Sequence, residues 1–102
     1  MKKSDFDCIG KTSDGKLVIS GIYKLHETWG VPLSEIFNFL IRNNSIPSWI
    51  DLYKDMRMAK IDHHHILVRL KDEIDDSFGL EWSEVVIRQL KFIFETHSVI
   101  EE

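Results

Sequence analysis

From Ile22 onward, apolar residues in this 102-residue chain recur at three- and four-residue spacing. Before that, two β-prone runs flank an Asp-Gly turn. Together these observations predict a mainly α protein, a compact orthogonal bundle of about five short helices with an N-terminal β-hairpin. Composition agrees, since 43% hydrophobic and 29% charged residues are ordinary for a globule. The length is that of a single domain, 1-102, with the hairpin over 5-22 and the helical region over 22-97.

In the hairpin, the runs Phe6–Gly10 and Lys16–Ile22 flank Ser13-Asp14-Gly15, where Asp and Gly tolerate positive φ. Cys8 reads as a small buried hydrophobe on the first strand. The inward face of the second strand is open between Leu17, Ile19, Gly21 and Val18, Ser20, Ile22. A two-stranded ribbon is marginal alone and must pack on the helices.

Ile22, Leu25 and Trp29 mark a short first helix, and Gly30 suits a left-handed cap at its end. Pro32 fits the first turn of the second helix, where a missing N–H costs nothing. Leu33, Ile36, Phe37, Leu40 and Ile41 form its stripe, and Asn43-Asn44 ends it. The third helix is expected from about Pro47 to Met58 with Trp49, Leu52, Tyr53 and Met56 inward. Asp62 is expected to cap a fourth helix carrying Ile66, Leu67, Leu70 and Ile74, broken at Ser77-Phe78-Gly79. The fifth is expected over Glu81 to Glu95, with Trp82, Val85, Val86, Leu90, Ile93 and Phe94 inward and a fraying tail from Ser98.

A weak internal repeat at an offset of 49 sets 25-41 against 74-90, with Gly30, Ser34 and Glu35 matching Gly79, Ser83 and Glu84. In both copies the glycine is expected at positive φ, with Val31 and Leu80 buried. Trp29 and Phe78 are each expected to pack on the following helix.

The sequence offers little to carry chemistry. Asp62-His63-His64-His65 is the obvious metal lure, but consecutive helical side chains diverge by about 100° and do not converge on one ion. His63 and His64 are expected in solvent with His65 at the flank. Cys8 is the only cysteine and has no visible activating partner. No phosphate loop, Gly-x-Ser-x-Gly elbow or Gly-x-Gly-x-x-Gly run occurs. The expectation is therefore no enzyme, no cofactor and no metal. No apolar run reaches the ~18 residues of a membrane span, and the start lacks a signal peptide's apolar core. A cytoplasmic protein without membrane contact is expected.

Charge separates along the chain. Residues 61–102 hold four basic and ten acidic residues, a net of -6, while the first two thirds are slightly basic. The second and fifth helices are apolar nearly all round, which suits a central or an interfacial helix. Phe39, Ile87 and Phe92 fall off the main stripes and are the candidate protein interface. The expected function is a non-enzymatic protein–protein interaction module acting through an apolar, aromatic helical surface and an acidic C-terminal half. Its partner is a protein, with homo-oligomerisation as one form of that. In composition the chain is similar to small accessory, adaptor or inhibitor proteins of phages and bacteria.

The alternative comes from a resemblance. Residues 25–40, with Gly30-Val31 at the turn and Ile36 and Leu40 inward, resemble the helix-turn-helix segment of DNA-binding regulators. The following Ile41–Pro47 is similar to the excisionase and MerR-like winged group, where a basic turn and an apolar-Pro pair follow the recognition helix. The resemblance implies a DNA-binding regulator using helices 22-30 and 33-43. It implies nucleic-acid contacts at Ser34, Asn38, Arg42, Asn43 and Asn44, with phosphate contacts from Arg42, Lys2, Lys3, Lys11 and Lys54 and a base contact from Asn38. Glu35, in the first turn of the same helix, has the wrong charge for a phosphate-lined groove. Nucleic acid therefore ranks behind protein as a partner.

Overall fold

The apolar stripe of residues 33–42 becomes the axis of the fold. The computed structural model describes residues 5–101, with side chains for 5–96. The order is β1 (Asp7–Lys11), β2 (Leu17–Ser20), α1 (Ile22–Trp29), α2 (Leu33–Arg42), β3 (Ser45–Pro47), α3 (Trp49–Met58), α4 (His63–Ser77) and α5 (Leu80–Glu101). The fold is mainly helical, as the periodicity predicts, and α5 runs on to Glu101 past its expected end at Glu95.

The hairpin forms around the expected turn. Gly15 has φ 89°, and the Thr12 hydroxyl accepts from Lys16 N at 2.9 Å. A bulge between Cys8 and Gly10 shifts the register of β1 against β2. Ile19 is buried and Leu17 packs against the core, which settles the inward face of β2. Cys8 is exposed on β1, a correction to its expected burial. It lies on an outer strand of the sheet, paired on one side with β2.

β3 is a strand that periodicity does not reveal. It pairs parallel to β2, Leu17 opposite Ser45 and Ile19 opposite Pro47, giving the order β1-β2-β3. Asn44, at φ 51°, turns the chain into it, and its carbonyl accepts from Leu17 N at 3.1 Å. Ser48 then donates its N–H to Ile19 O at 2.7 Å. The Ser48 hydroxyl accepts from Asp51 N at 3.4 Å. The sheet thus hands the chain directly to a capped α3, two residues later than expected.

Ile36, Phe37 and Leu40 of α2 lie at the centre of one buried cluster, with Leu52 and Met56 of α3, Ile66, Leu70 and Ile74 of α4, and Val86 and Leu90 of α5. Phe37, Trp49 and Phe78 meet pairwise, edge to face, with centroids 5.7, 5.5 and 5.4 Å apart. Quadrupolar rings favour this geometry.

The two glycine turns share only their backbone. Gly30 and Gly79 adopt φ 69° and 100°, both left-handed as expected. The turns close differently. Gly30 N donates to His26 O four residues back, whereas Gly79 N reaches Ile74 O five residues back. Phe78 packs on Phe37, Trp49 and Trp82, but Trp29 is 74% exposed. That is a correction, as is Leu80 at 65% exposure; Val31 is half-buried. The first turn is held instead by His26. Its Nδ1–H donates to Val31 O at 2.8 Å, and its Nε2 accepts from Arg69 of α4 at 2.5 Å. An imidazole bridge replaces the aromatic plug, so the matched letters do not perform matched tasks.

Phe37→Ala should cost about 3–5 kcal/mol, since it empties the middle of the ring cluster. Trp29→Ala should stay within about 0.5 kcal/mol of the parent. Gly30→Ala should cost about 1 kcal/mol from its left-handed φ alone, because an added Cβ would meet nothing within 4 Å. Urea unfolding curves test all three. Similar losses at positions 29 and 37 would contradict this arrangement.

Candidate protein interface

α5 is apolar nearly all round, so the face it docks determines the face it leaves out. Ser83, Val86 and Leu90 are buried, with Ile87 and Phe94 packed against the core. The opposite side presents Trp82, Val85 and Phe92, the last 69% exposed. Trp82 and Val85 were expected inward, and their outward direction is a correction. The cause is the Gly79 turn and the docking of α5 on α4, which bring positions 83, 86 and 90 to the core.

Trp82, Val85, Gln89, Phe92 and Thr96 follow a three-four alternation along α5. At 100° per residue they fall within a band of about 80°, one continuous seam. α3 borders it. Ile50, exposed on α3, lines a shallow groove with Arg88, Gln89, Phe92 and Ile93 of α5. The Lys16 ammonium lies 5.8 Å from the Trp82 ring centroid at the seam's N-terminal end. At the C-terminal end the Thr96 hydroxyl donates to Phe92 O at 2.9 Å.

Of the residues read as candidate interface, Phe92 is exposed, Ile87 is half-buried against the core, and Phe39 is half-buried against Phe6, with ring centroids 5.7 Å apart. Ile50, Trp82 and Val85 are the surface residues that sequence reasoning missed. The alternation 82, 85, 89, 92 was legible, but both faces of α5 carry such a pattern and only docking distinguishes them.

The nucleic-acid candidates scatter. Asn38 and Arg42 are exposed on α2 with Glu35 beside them, and Ser34 is half-buried. Asn43 donates its side-chain amide to Phe39 O at 2.8 Å, capping its own helix. Asn44 donates to Gly15 O at 3.5 Å. Lys11 is on β1 and Lys54 on α3, while Lys2 and Lys3 lie outside the described residues.

The histidine triplet divides. His64 and His65 are exposed, and the Asp62 carboxylate lies 3.5 Å from His65 rather than capping the α4 N–H groups. His63, expected in solvent, is only 8% exposed. Its Nδ1 and the Tyr53 hydroxyl are hydrogen-bonded at 2.9 Å, and its ring stacks on Phe94 with centroids 3.8 Å apart. His63 continues the stripe Ile66, Leu67, Leu70 and Ile74, a signal its polarity concealed. Tyr53, His63 and Phe94 thereby clamp α3, α4 and the C-terminal half of α5. Among the described residues no three His, Cys, Asp or Glu side chains form a group able to hold a metal. No described helix is long and apolar enough to cross a membrane. A second groove, between α1 and α3, is lined by Tyr23, Lys24, Glu27, Thr28, Asp55 and Met58. There, burial and the nearby Asp51 push the Asp55 carboxyl up.

No protein-family model, no curated protein and no solved structure matches this chain.

Burial pushes the His63 imidazole below its ordinary 6.5, and the charges of His64, Arg57 and Lys91 push the same way while Asp62 opposes them. The unfolded chain therefore takes up this proton first as pH falls. Stability should be complete above about pH 6.5 and decline as pH drops from there toward the folded value. His63→Leu should lower stability at pH 7.5 by about 1–3 kcal/mol, because the buried Tyr53 hydroxyl loses its partner. It should also flatten the decline below about pH 6.5. Thermal melts of both proteins across that range give the comparison, and parallel curves would show that His63 does not carry the pH dependence.

Proposed function

We propose that this chain is a non-enzymatic protein-binding module that works through the outer face of α5. The observation that carries the reading is the seam of Trp82, Val85 and Phe92, continued by Ile50 of α3. Single exposed apolar residues are normal on any surface. Aligned aromatic and aliphatic side chains on one rigid helix supply the anchors that dominate binding energy. Charged residues line one flank of the seam, with Glu81, Arg88 and Glu95 all exposed. An apolar centre bordered by polar residues is the usual anatomy of a protein interface.

The helix-turn-helix reading ranks second. Asn38 and Arg42 are available for contact, but Arg42 is the only cation within α2 and shares its surface with Glu35. Affinity for duplex DNA that falls steeply between ~50 and ~200 mM salt would favour that reading.

The protein-binding reading is tested by placing a photo-reactive benzoylphenylalanine at Phe92, with a control at the exposed Lys11 on β1. Irradiated cells expressing the chain should yield protein adducts from position 92 and none from position 11. No adduct at 92, or equal yields at both positions, would overturn it.

A further inference from the structure

We propose that the occupant of the α5 face is a second copy of this chain, its α5 antiparallel to the first across a two-fold axis level with Leu90. The inference rests on the protein-binding reading of that face and adds the partner and its register. The argument is one of charge and shape along the seam. One flank carries Glu81, Arg88 and Glu95, each one residue before a seam position. The other carries Val86 and Ile93, which lean toward the core.

Two-fold pairing requires a self-complementary surface. With Gln89 opposite the partner's Phe92, and Val85 opposite the partner's Thr96, Arg88 comes beside the partner's Glu95, and Glu95 beside the partner's Arg88. Both flanking contacts are then attractive. Sliding the pair by one heptad sets Val85 against the partner's Gln89. Arg88 then meets the partner's Arg88, and Glu81 meets the partner's Glu95, all like charges. A parallel pair brings Arg88 to the partner's Ile93 and leaves the carboxylates unmatched. The charge pattern thus favours one arrangement and penalises its nearest rivals.

Shape points the same way. Phe92 is exposed on the seam and borders the shallow groove it shares with Ile50, Arg88, Gln89 and Ile93. In this register the partner's Phe92 arrives opposite Gln89, over that groove, and the exchange occurs twice. In this register the paired stretch from Val85 to Thr96 is about 17 Å long at 1.5 Å per residue. A contact of that length lies toward the small end of specific interfaces, so the dimer is concentration-dependent.

The test is sedimentation equilibrium of the full chain from about 1 to 300 µM. The mass should rise from 12.0 kDa toward twice that value. Arg88→Glu and Glu95→Arg should each weaken dimerisation about tenfold, as two attractive contacts become repulsive. The double variant Arg88→Glu/Glu95→Arg should return to within about threefold of the parent. Both positions are exposed, so the melting temperature of dilute protein should not change and misfolding is separable from dissociation. A 12.0 kDa species at every concentration overturns the proposal. A double variant as weak as either single one also overturns it, because it removes the register. If the chain stays monomeric while position 92 still forms adducts with other proteins, the second copy is wrong and the protein-binding reading stands. If both fail, both readings fall.

Discussion

The mutual packing of Phe37, Trp49 and Phe78 is the constraint from which the remaining geometry follows. Each ring comes from a different stretch of chain: the middle of α2, the first turn of α3, and the end of α4. Three edge-to-face contacts among three elements leave little freedom in their relative placement, since a close-packed interior does not deform continuously. Phe78 is also the residue at which α4 stops. Anchoring it fixes where the chain reverses, and Gly79 at φ 100° performs the reversal. α5 leaves from a position and angle set by an aromatic cluster outside it, with Trp82 lying over the rim of that cluster. Which residues of α5 meet solvent is therefore decided before α5 begins.

At the far end the same helix is held by different chemistry. His63 stacks on Phe94 and bonds to Tyr53, while the Arg57 guanidinium lies 5.6 Å from the Phe94 ring centroid. A neutral imidazole serves here as a flat, half-polar core residue that satisfies a tyrosine hydroxyl no aliphatic side chain could reach. Between the two anchors, Val86 and Leu90 supply the apolar burial. Aromatic packing thus sets the angle of α5, and the Tyr53–His63 pair sets its rotation.

Local pattern made the helices legible, and long-range geometry hid the rest. Five apolar stripes with their glycine and asparagine stops place the helices to within about two residues, except at the C-terminal end of α5, which runs six residues past its expected end. The Asp-Gly turn does the same for the hairpin. β3 escaped because three residues carry no periodicity, and its reason for being a strand is β2, 28 positions earlier at the Leu17–Ser45 pair. Trp29 escaped because a large apolar residue at a helix end reads as buried. Its exposure follows from His26 closing that turn. His63 was legible in spacing and concealed by residue type. The candidate site was half legible. Phe92 was singled out, but Val85 and Ile87 sit two residues apart on a helix apolar over most of its circumference, and only the docking angle tells which of them faces out. Ile50 belongs to another helix, so no pattern within α5 could have found it.

The bulge in β1 has a consequence for how the molecule meets its neighbours. An outer strand offers unpaired backbone N–H and C=O groups, a template on which any extended chain can add. β1 is one of the two outer strands, and it carries the exposed Ile9 at its middle. The irregularity between Cys8 and Gly10 breaks the row of donors and acceptors at that point. Asp7 and Lys11 put charge at both ends of the strand. An added strand would lose register and have to desolvate those charges. The β1 edge of the sheet is therefore blunt to strand addition and to the ordered aggregation that follows from it, whereas the outer face of α5 is left open to contact.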